Sequence, residues 1–226
     1  EAEKKGIVVR YPSDKTINII FDETASFTCG LIFRMLYENI GTLDPWIKEP
    51  RHQLSQKILL VIGTGKIGNR VVQLMKPFMK VATFDILQNE TSELKLMMQQ
   101  ADCVTIHIPK SDDNLSFIDK EKLSWMKSGA VLINTARGAI VDKDALYTEL
   151  ENHRLKAAFD VYWQEPYAGK LKEFYPEGFF DVTRNRLAQA KETAVVSVAG
   201  TAFLKSENSR FADMPRGHEI GLANTE

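Results

Sequence analysis

Apolar positions along this chain fall into short unbroken runs separated by stretches of helical period. Residues 58–62 (Ile-Leu-Leu-Val-Ile) form one such run, closed by Gly63. A run of this kind suits a strand buried on both faces of a parallel sheet. Residues 81–85, 103–108, 130–134 and 155–159 read as further strands, each mainly apolar with one or two polar residues. Between the runs, residues 66–75, 92–100, 120–126 and 143–152 read as helices, the last capped by Asp142. Strands and helices that alternate with short connections predict an α/β fold with a doubly wound parallel sheet.

Upstream, residues 22–40 read as a helix in which Asp22 or Thr24 is the cap and Gly41 the stop. Phe27, Leu31, Met35 and Leu36 recur at helical spacing, and Ile32 and Phe33 widen the apolar face. So wide a face implies a helix buried or shared between domains or subunits, and suggests a two-fold homodimer. Residues 1–20 read as extended, with a strand at 6–10 and a turn at 11–14. Residues 42–56 make a polar connection carrying Trp46. After Gln164 the periodicity degrades. Residues 166–191 are mixed, 195–199 offer one more strand, and 201–226 have weak helical character at best.

The first apolar run leads into Gly63-Thr-Gly65-Lys66-Ile67-Gly68, a complete G-x-G-x-x-G. Gly63 suits the tight turn out of the strand, Gly65 lets a pyrophosphate approach the backbone, and Gly68 lets the next helix pack close. The helix beginning at Lys66 would aim its N–H groups and positive dipole end at the phosphates. Asp85 ends the second strand, 17 residues beyond Gly68, about where a carboxylate takes the ribose hydroxyls of NAD. No nearby Arg favours a 2′-phosphate. Strand, glycines, helix and acid in this order point to dinucleotide binding.

Composition changes this picture little. With 44% hydrophobic and 26% charged residues and a net charge of −1, the chain is an ordinary globular sequence with no basic field for nucleic acid. No apolar run approaches the roughly 20 residues needed to cross a bilayer, and no signal peptide is visible. Cys29 and Cys103 lie in apolar surroundings and read as free buried thiols of a reducing, cytoplasmic compartment. No cluster with metal-ligand spacing stands out.

In a doubly wound sheet, ligands bind beyond the carboxyl ends of the strands, where Asp85, His107, Arg137 and Asp160 all fall. A fixed guanidinium at Arg137 can hold a carboxylate bidentately and polarise a neighbouring carbonyl. Glu165 follows the strand bearing Asp160, where an acid could orient a catalytic imidazole and raise its pKa. Reduction of a keto acid also needs a proton donor, usually His. Of His52, His107, His153 and His218, only His107 clearly lies on this side of the sheet.

GTGKIG, the His107-Ile108-Pro109 triplet, INTARGAIVDKDAL (residues 133–146) and AAFDVYWQEP (157–166) occur in the order of family signatures. By them the chain resembles the D-isomer-specific 2-hydroxyacid dehydrogenases over roughly residues 6–200. The resemblance implies a Rossmann-type NAD-binding domain at 21–200, a remnant of a smaller substrate domain at 1–20, and a C-terminal tail at 201–226. It implies NAD as cofactor and a small 2-hydroxy or 2-keto acid as substrate. Lys66 and Ile67 would line the pyrophosphate, Asp85 would hold the ribose, and Ile108 and Pro109 would wall the adenine side. Thr135, Ala136 and Asp160 would face the nicotinamide. Arg137 would bind the substrate's carboxylate and carbonyl, and Glu165 would support the catalytic His.

Two departures bear on activity. Most of the family's substrate domain has no counterpart in residues 1–226. The family's last strand leads into Pro-His, whereas this chain reads Val195-Val-Ser197-Val198-Ala199-Gly200. Either Ser197 replaces the His or Pro-His is deleted after it, and neither alignment leaves a His in place. The expectation is therefore an NAD-dependent dehydrogenase impaired in this chain, or else a non-catalytic NAD(H)-binding sensor or scaffold module.

Overall fold

The computed structural model describes residues 11–37, 45–46, 53–165, 167, 169–174, 179–181, 194–198 and 201–205. The expected strand at 6–10, most of the 42–56 connection and most of the tail lie outside these residues, whereas the helix expected to run to residue 40 and stop at Gly41 already ends at Leu36, with Tyr37 as its C-cap.

Five apolar runs become parallel strands: β1 (Ile58–Ile62), β2 (Lys80–Phe84), β3 (Cys103–Ile106), β4 (Val131–Asn134) and β5 (Lys156–Phe159). A short β6 (Phe179–Asp181), which the mixed composition of that stretch hid, adds to the edge. The sheet order is β2-β1-β3-β4-β5-β6. The chain passes from β2 over β1 to β3, so the winding reverses between β1 and β3. That reversal opens a crevice at the carboxyl edge.

Alternation along the strands divides the core. Leu60, Ile62, Val104, Ile106 and Leu132 face one way, onto α3 (Thr91–Gln100), α4 (Lys120–Trp125) and α5 (Lys143–Glu151) through Leu94, Met98, Leu123, Leu146 and Leu150. Leu59, Val61, Val131 and Ile133 face the other way. They meet α2 (Lys66–Met75) through Val71, Val72 and Met75, and α1 (Asp14–Leu36) through Ala25, Ile32 and Met35. Both faces being covered is why the strands read as continuous apolar runs. The described part is thus the expected doubly wound α/β sheet.

Helix α1 corrects the sequence reading at its start. It begins at Asp14, eight residues before the expected position, and Ser13 rather than Asp22 or Thr24 caps it through Oγ, which accepts from Thr16 N at 3.3 Å. Locally, the β-branched Ile17, Ile19 and Ile20 favour extended chain. Long-range contacts override that propensity: the Arg70 guanidinium on α2 pairs with Asp22 and donates to Asn18 Oδ1 at 2.8 Å. The wide apolar face of α1 is also explained within the chain, since it packs on β4, β5 and α2.

The expected strand at 195–199 forms as β7 (Ala194–Val198). Among the described residues it pairs antiparallel with β8 (Thr201–Lys205) and not with the main sheet. β8 replaces the weak helical character expected there. Cys29 and Cys103 are free and buried, as expected.

Candidate functional site

Strand register sets the site. Ile62 pairs with Phe84 and with Ile106, Ile106 with Asn134, and Asn134 with Phe159. The residues that follow each strand therefore stand level along the carboxyl edge, in the order Asp85, Gly63, His107, Thr135, Asp160. With adjacent strands about 4.8 Å apart, this row is long enough to lay an extended ligand across five strands.

At its centre is the glycine turn. Gly63 sits at φ +91°, and a Cβ there would lie 2.6 Å from the His107 carbonyl oxygen. Gly68 is closer still: its Cβ would lie 1.9 Å from the Gly63 carbonyl oxygen. Both contacts are to backbone, so helix α2 docks on the turn only without a side chain at 68. Gly65 is different, because nothing lies within 4 Å of its Cβ position and the residue is exposed. No side chain caps α2, which leaves its first N–H groups for an anion. A closed turn with one open glycine and an uncapped helix start fits a pyrophosphate. Lys66 is exposed here, while the Ile67 side chain packs towards the core and leaves only its backbone for a ligand.

Asp85 is tied to the same turn. Its Oδ2 accepts from Thr64 N at 2.9 Å and Thr64 Oγ1 at 2.8 Å, and its Oδ1 accepts from Leu87 N at 3.1 Å. The Thr64 amide and hydroxyl hold the carboxyl below the usual carboxylate range, so it is ionised at neutral pH. Of roughly four acceptor positions, one on Oδ1 stays open to a ribose hydroxyl. Thr64 escaped notice in the sequence, although its place between two glycines was the available signal.

His107 follows β3 beneath the turn. Its N–H donates to Ile62 O at 2.7 Å, and Nε2 lies 3.0 Å from Thr105 Oγ1. Burial pushes its pKa down to about 4 from 6.5, so the ring is neutral at pH 7. An imidazole of this kind takes up a proton more readily in the unfolded chain between those two values. Its contribution to stability is complete above about pH 6.5 and is lost as pH falls towards 4. Discounted for the ring's partial exposure, that loss is about 1–3 kcal/mol. Urea unfolding midpoints at about pH 7, 5.5 and 4.5 should fall accordingly, and His107→Gln should flatten the trend. An unchanged slope in the variant would show that other groups carry it. Ile108 is half-buried against the turn, and Pro109 is exposed, its carbonyl accepting from Asn114 Nδ2 at 2.8 Å.

The turn after β4 is shaped by buried Asn134, another residue the sequence reading passed over. Its Nδ2 donates to Arg137 O at 2.9 Å and its Oδ1 accepts from Ala136 N at 3.0 Å. Thr135 is buried, Ala136 half-buried, and the Arg137 side chain exposed, with Nη1 donating to Ala136 O at 2.8 Å. Most of the guanidinium therefore faces solvent. Gly138 permits close approach of the segment after β5, since a Cβ would lie 2.2 Å from the Tyr162 carbonyl carbon. Asp160, at 9% exposure, donates its N–H to Asn134 O at 3.1 Å. Glu165 is exposed, and its Oε1 accepts from Tyr162 N at 3.2 Å, closing the turn after β5. The other described histidine, His153, is three residues ahead of β5 at the opposite edge of the sheet, while His52 and His218 lie outside the described residues. Among the described residues no cluster of His, Cys, Asp or Glu could hold a metal ion, and no helix is long and apolar enough to cross a membrane.

Comparison with known proteins agrees with this geometry. Residues 42–176 match the family described as D-isomer specific 2-hydroxyacid dehydrogenase, NAD binding domain. Glyoxylate reductase from Thermofilum pendens is 33% identical over 191 residues, 74% of this chain and 55% of that protein. D-3-phosphoglycerate dehydrogenase from Synechocystis is 36% identical over 194 residues, 76% of this chain and 34% of that protein. This chain thus spans about half or less of the curated relatives it matches. D-lactate dehydrogenase from Aquifex aeolicus, solved with NAD and lactic acid, superposes with a TM-score of 0.64 at 26% identity, covering 79% of this chain and 62% of that one. With glycine turn, acid and strand order all in place, the chain belongs to the D-isomer-specific 2-hydroxyacid dehydrogenase family and carries that family's NAD-binding domain.

Proposed function

We propose that the chain serves hydride transfer between NAD(H) and a small 2-hydroxy or 2-keto acid, with NAD(H) preferred over NADP(H). The observation that supports this most directly is the level row Asp85–Gly63–His107–Thr135–Asp160 with the open face of Gly65 at its centre. NAD(H), when bound, supplies the hydride acceptor or donor. Asp85 takes the ribose hydroxyls, Gly65, Lys66, Ile67 and Gly68 the pyrophosphate, and Ile108 and Pro109 wall the adenine side. Thr135, Ala136 and Asp160 face the nicotinamide. Arg137 holds the substrate carboxylate and polarises the carbonyl, while Glu165, in the turn after β5, is a candidate support for a proton donor. A cytoplasmic homodimer belongs to the same reading, supported by the two reduced cysteines and by Tyr11 and Ile19, 71% and 52% exposed at the start of α1.

The preference for NAD(H) has a simple cause. An ionised carboxylate accepts from a free 2′-hydroxyl and repels a 2′-phosphate, and like charges in contact cost several kcal/mol. Calorimetric titration should give NADH at least about tenfold tighter binding than NADPH. Asp85→Ala should narrow that ratio. Equal affinities, or tighter NADPH, would overturn the assignment of Asp85.

A second reading, an NAD(H)-binding sensor or scaffold without turnover, is supported by one sequence feature: around Ser197, where the resemblance expects Pro-His, neither alignment leaves a His.

A further inference from the structure

Helix α1 contributes one polar group to the carboxyl edge of the sheet. Thr28 is fully buried on the face of α1 that packs on β4 and β5, and its Oγ1 lies 2.9 Å from Thr135 Oγ1. Period-2 alternation explains the meeting: Val131, Ile133 and Thr135 share one face, and that face looks at α1. The two residues are 107 positions apart in sequence.

The direction of this hydrogen bond follows from counting protons. Thr28 Oγ1 also lies 2.8 Å from Thr24 O, and a carbonyl only accepts. The single hydroxyl hydrogen of Thr28 is therefore committed to Thr24. Thr135 must then donate to Thr28. With its one hydrogen turned towards α1, Thr135 has only lone pairs left for anything that lies across the carboxyl edge.

We propose that Thr28 is a positioning residue that makes Thr135 a pure acceptor, and that this acceptor selects the amide NH2 of the nicotinamide carboxamide. The proposal rests on the NAD reading above. A nicotinamide carboxamide carries both a donor and an acceptor, so a freely rotating hydroxyl could meet either end. A hydroxyl fixed as acceptor meets only the NH2 and so fixes the rotation of the carboxamide. Thr28 touches no cofactor atom in this scheme and acts through Thr135 alone.

The test compares three ligands by calorimetry on the full chain: NAD, ADP-ribose, which lacks the nicotinamide, and 3-acetylpyridine adenine dinucleotide, which has a methyl group in place of the NH2. The unaltered chain should bind NAD about three- to tenfold tighter than the acetylpyridine analogue, the size of one hydrogen bond. Thr28→Val should remove most of that preference and leave ADP-ribose affinity within about twofold. Thr28→Ser, which keeps the hydroxyl, should restore it. If Thr28→Val does not fold, Thr135→Val should abolish the same preference. Equal binding of NAD and the analogue by the unaltered chain overturns the proposal. So does a Thr28→Val chain that weakens ADP-ribose as much as NAD, because the role is then merely structural. Absence of binding for all three ligands would instead refute the NAD reading, and the proposal with it.

Discussion

A Gly68→Ala chain is expected to lose both stability and NAD binding, whereas Gly65→Ala is expected to lose only binding. At position 68 the new methyl would stand 1.9 Å from the Gly63 carbonyl oxygen, and neither partner is a flexible side chain. Helix α2 must slide or the turn must open. Overpacking against backbone costs about 3 kcal/mol or more. For a chain of this size that lowers the melting temperature by roughly 6–12 °C. The same displacement carries the N–H groups of α2 out of register with the row from Asp85 to Asp160. At position 65 the methyl meets no protein atom within 4 Å and the backbone is extended at φ −72°, so the fold tolerates it. It would occupy the space in which the proposed reading lays the pyrophosphate. Thermal melts and NADH titrations of both variants separate the effects. A Gly65→Ala chain that binds NADH normally would overturn the placement of the pyrophosphate. A Gly68→Ala chain that melts normally would contradict the docking of α2.

The second expectation concerns turnover. With NADH and glyoxylate, hydroxypyruvate or pyruvate, this 226-residue chain should turn over about 10²–10⁴-fold more slowly than the ordinary dehydrogenase range of about 1–10³ per second. Hydride transfer to the carbonyl carbon leaves an alkoxide that needs a proton, and a donor with pKa near the working pH supplies it best. His107 is poorly suited: burial holds its pKa at about 4, and its Nε2 is engaged with Thr105. His153 stands at the far edge of the sheet. Around Ser197 neither alignment leaves a His, and a serine hydroxyl does not release a proton near neutrality. Arg137 could still hold and polarise the substrate, so binding and slow reduction are compatible. Steady-state rates inside the ordinary range would refute the expectation and send the search for a donor back to the remaining histidines. Rates at background alongside tight NADH binding would favour the sensor reading.

Much of the fold was legible because it is local. Short, mainly apolar runs, each closed by a turn or a polar residue, located five of the six strands of the main sheet. The helices between them were found within a few residues, since β-strands buried on both faces and amphipathic helices leave different periods. The glycine turn and Asp85 were legible because their spacing along the chain is short, and Gly68 answers to Gly63 only five residues away, whereas the close approach of His107 to Gly63 comes from the pairing of β1 with β3. Other features were settled only in three dimensions. The start of α1 depends on Arg70 reaching back to Asp22 and Asn18 across about 50 residues, and β-branched isoleucines argued locally for extended chain. β6 is three residues long and exists by pairing with β5. The pairing of β7 with β8 rather than with the main sheet could not be read from a strand pattern, which names no partner.

The site shows the same division. Sequence order put Asp85, His107, Thr135 and Asp160 after successive strands, and that alone placed them on one edge of a parallel sheet. Their level alignment came from register, which tertiary packing fixes. The second layer of the site was invisible in one dimension. Thr64 holding Asp85, Asn134 holding the Arg137 turn, and Thr28 orienting Thr135 are hydrogen bonds made by residues whose types are common in turns and helices. Such residues declare a role only when folding brings a particular acceptor within 3 Å of a particular donor. The sequence by itself determined which chemical groups reach the edge of the sheet. The tertiary structure decided which of them are charged, which way their protons point, and which face of the glycine turn stays open.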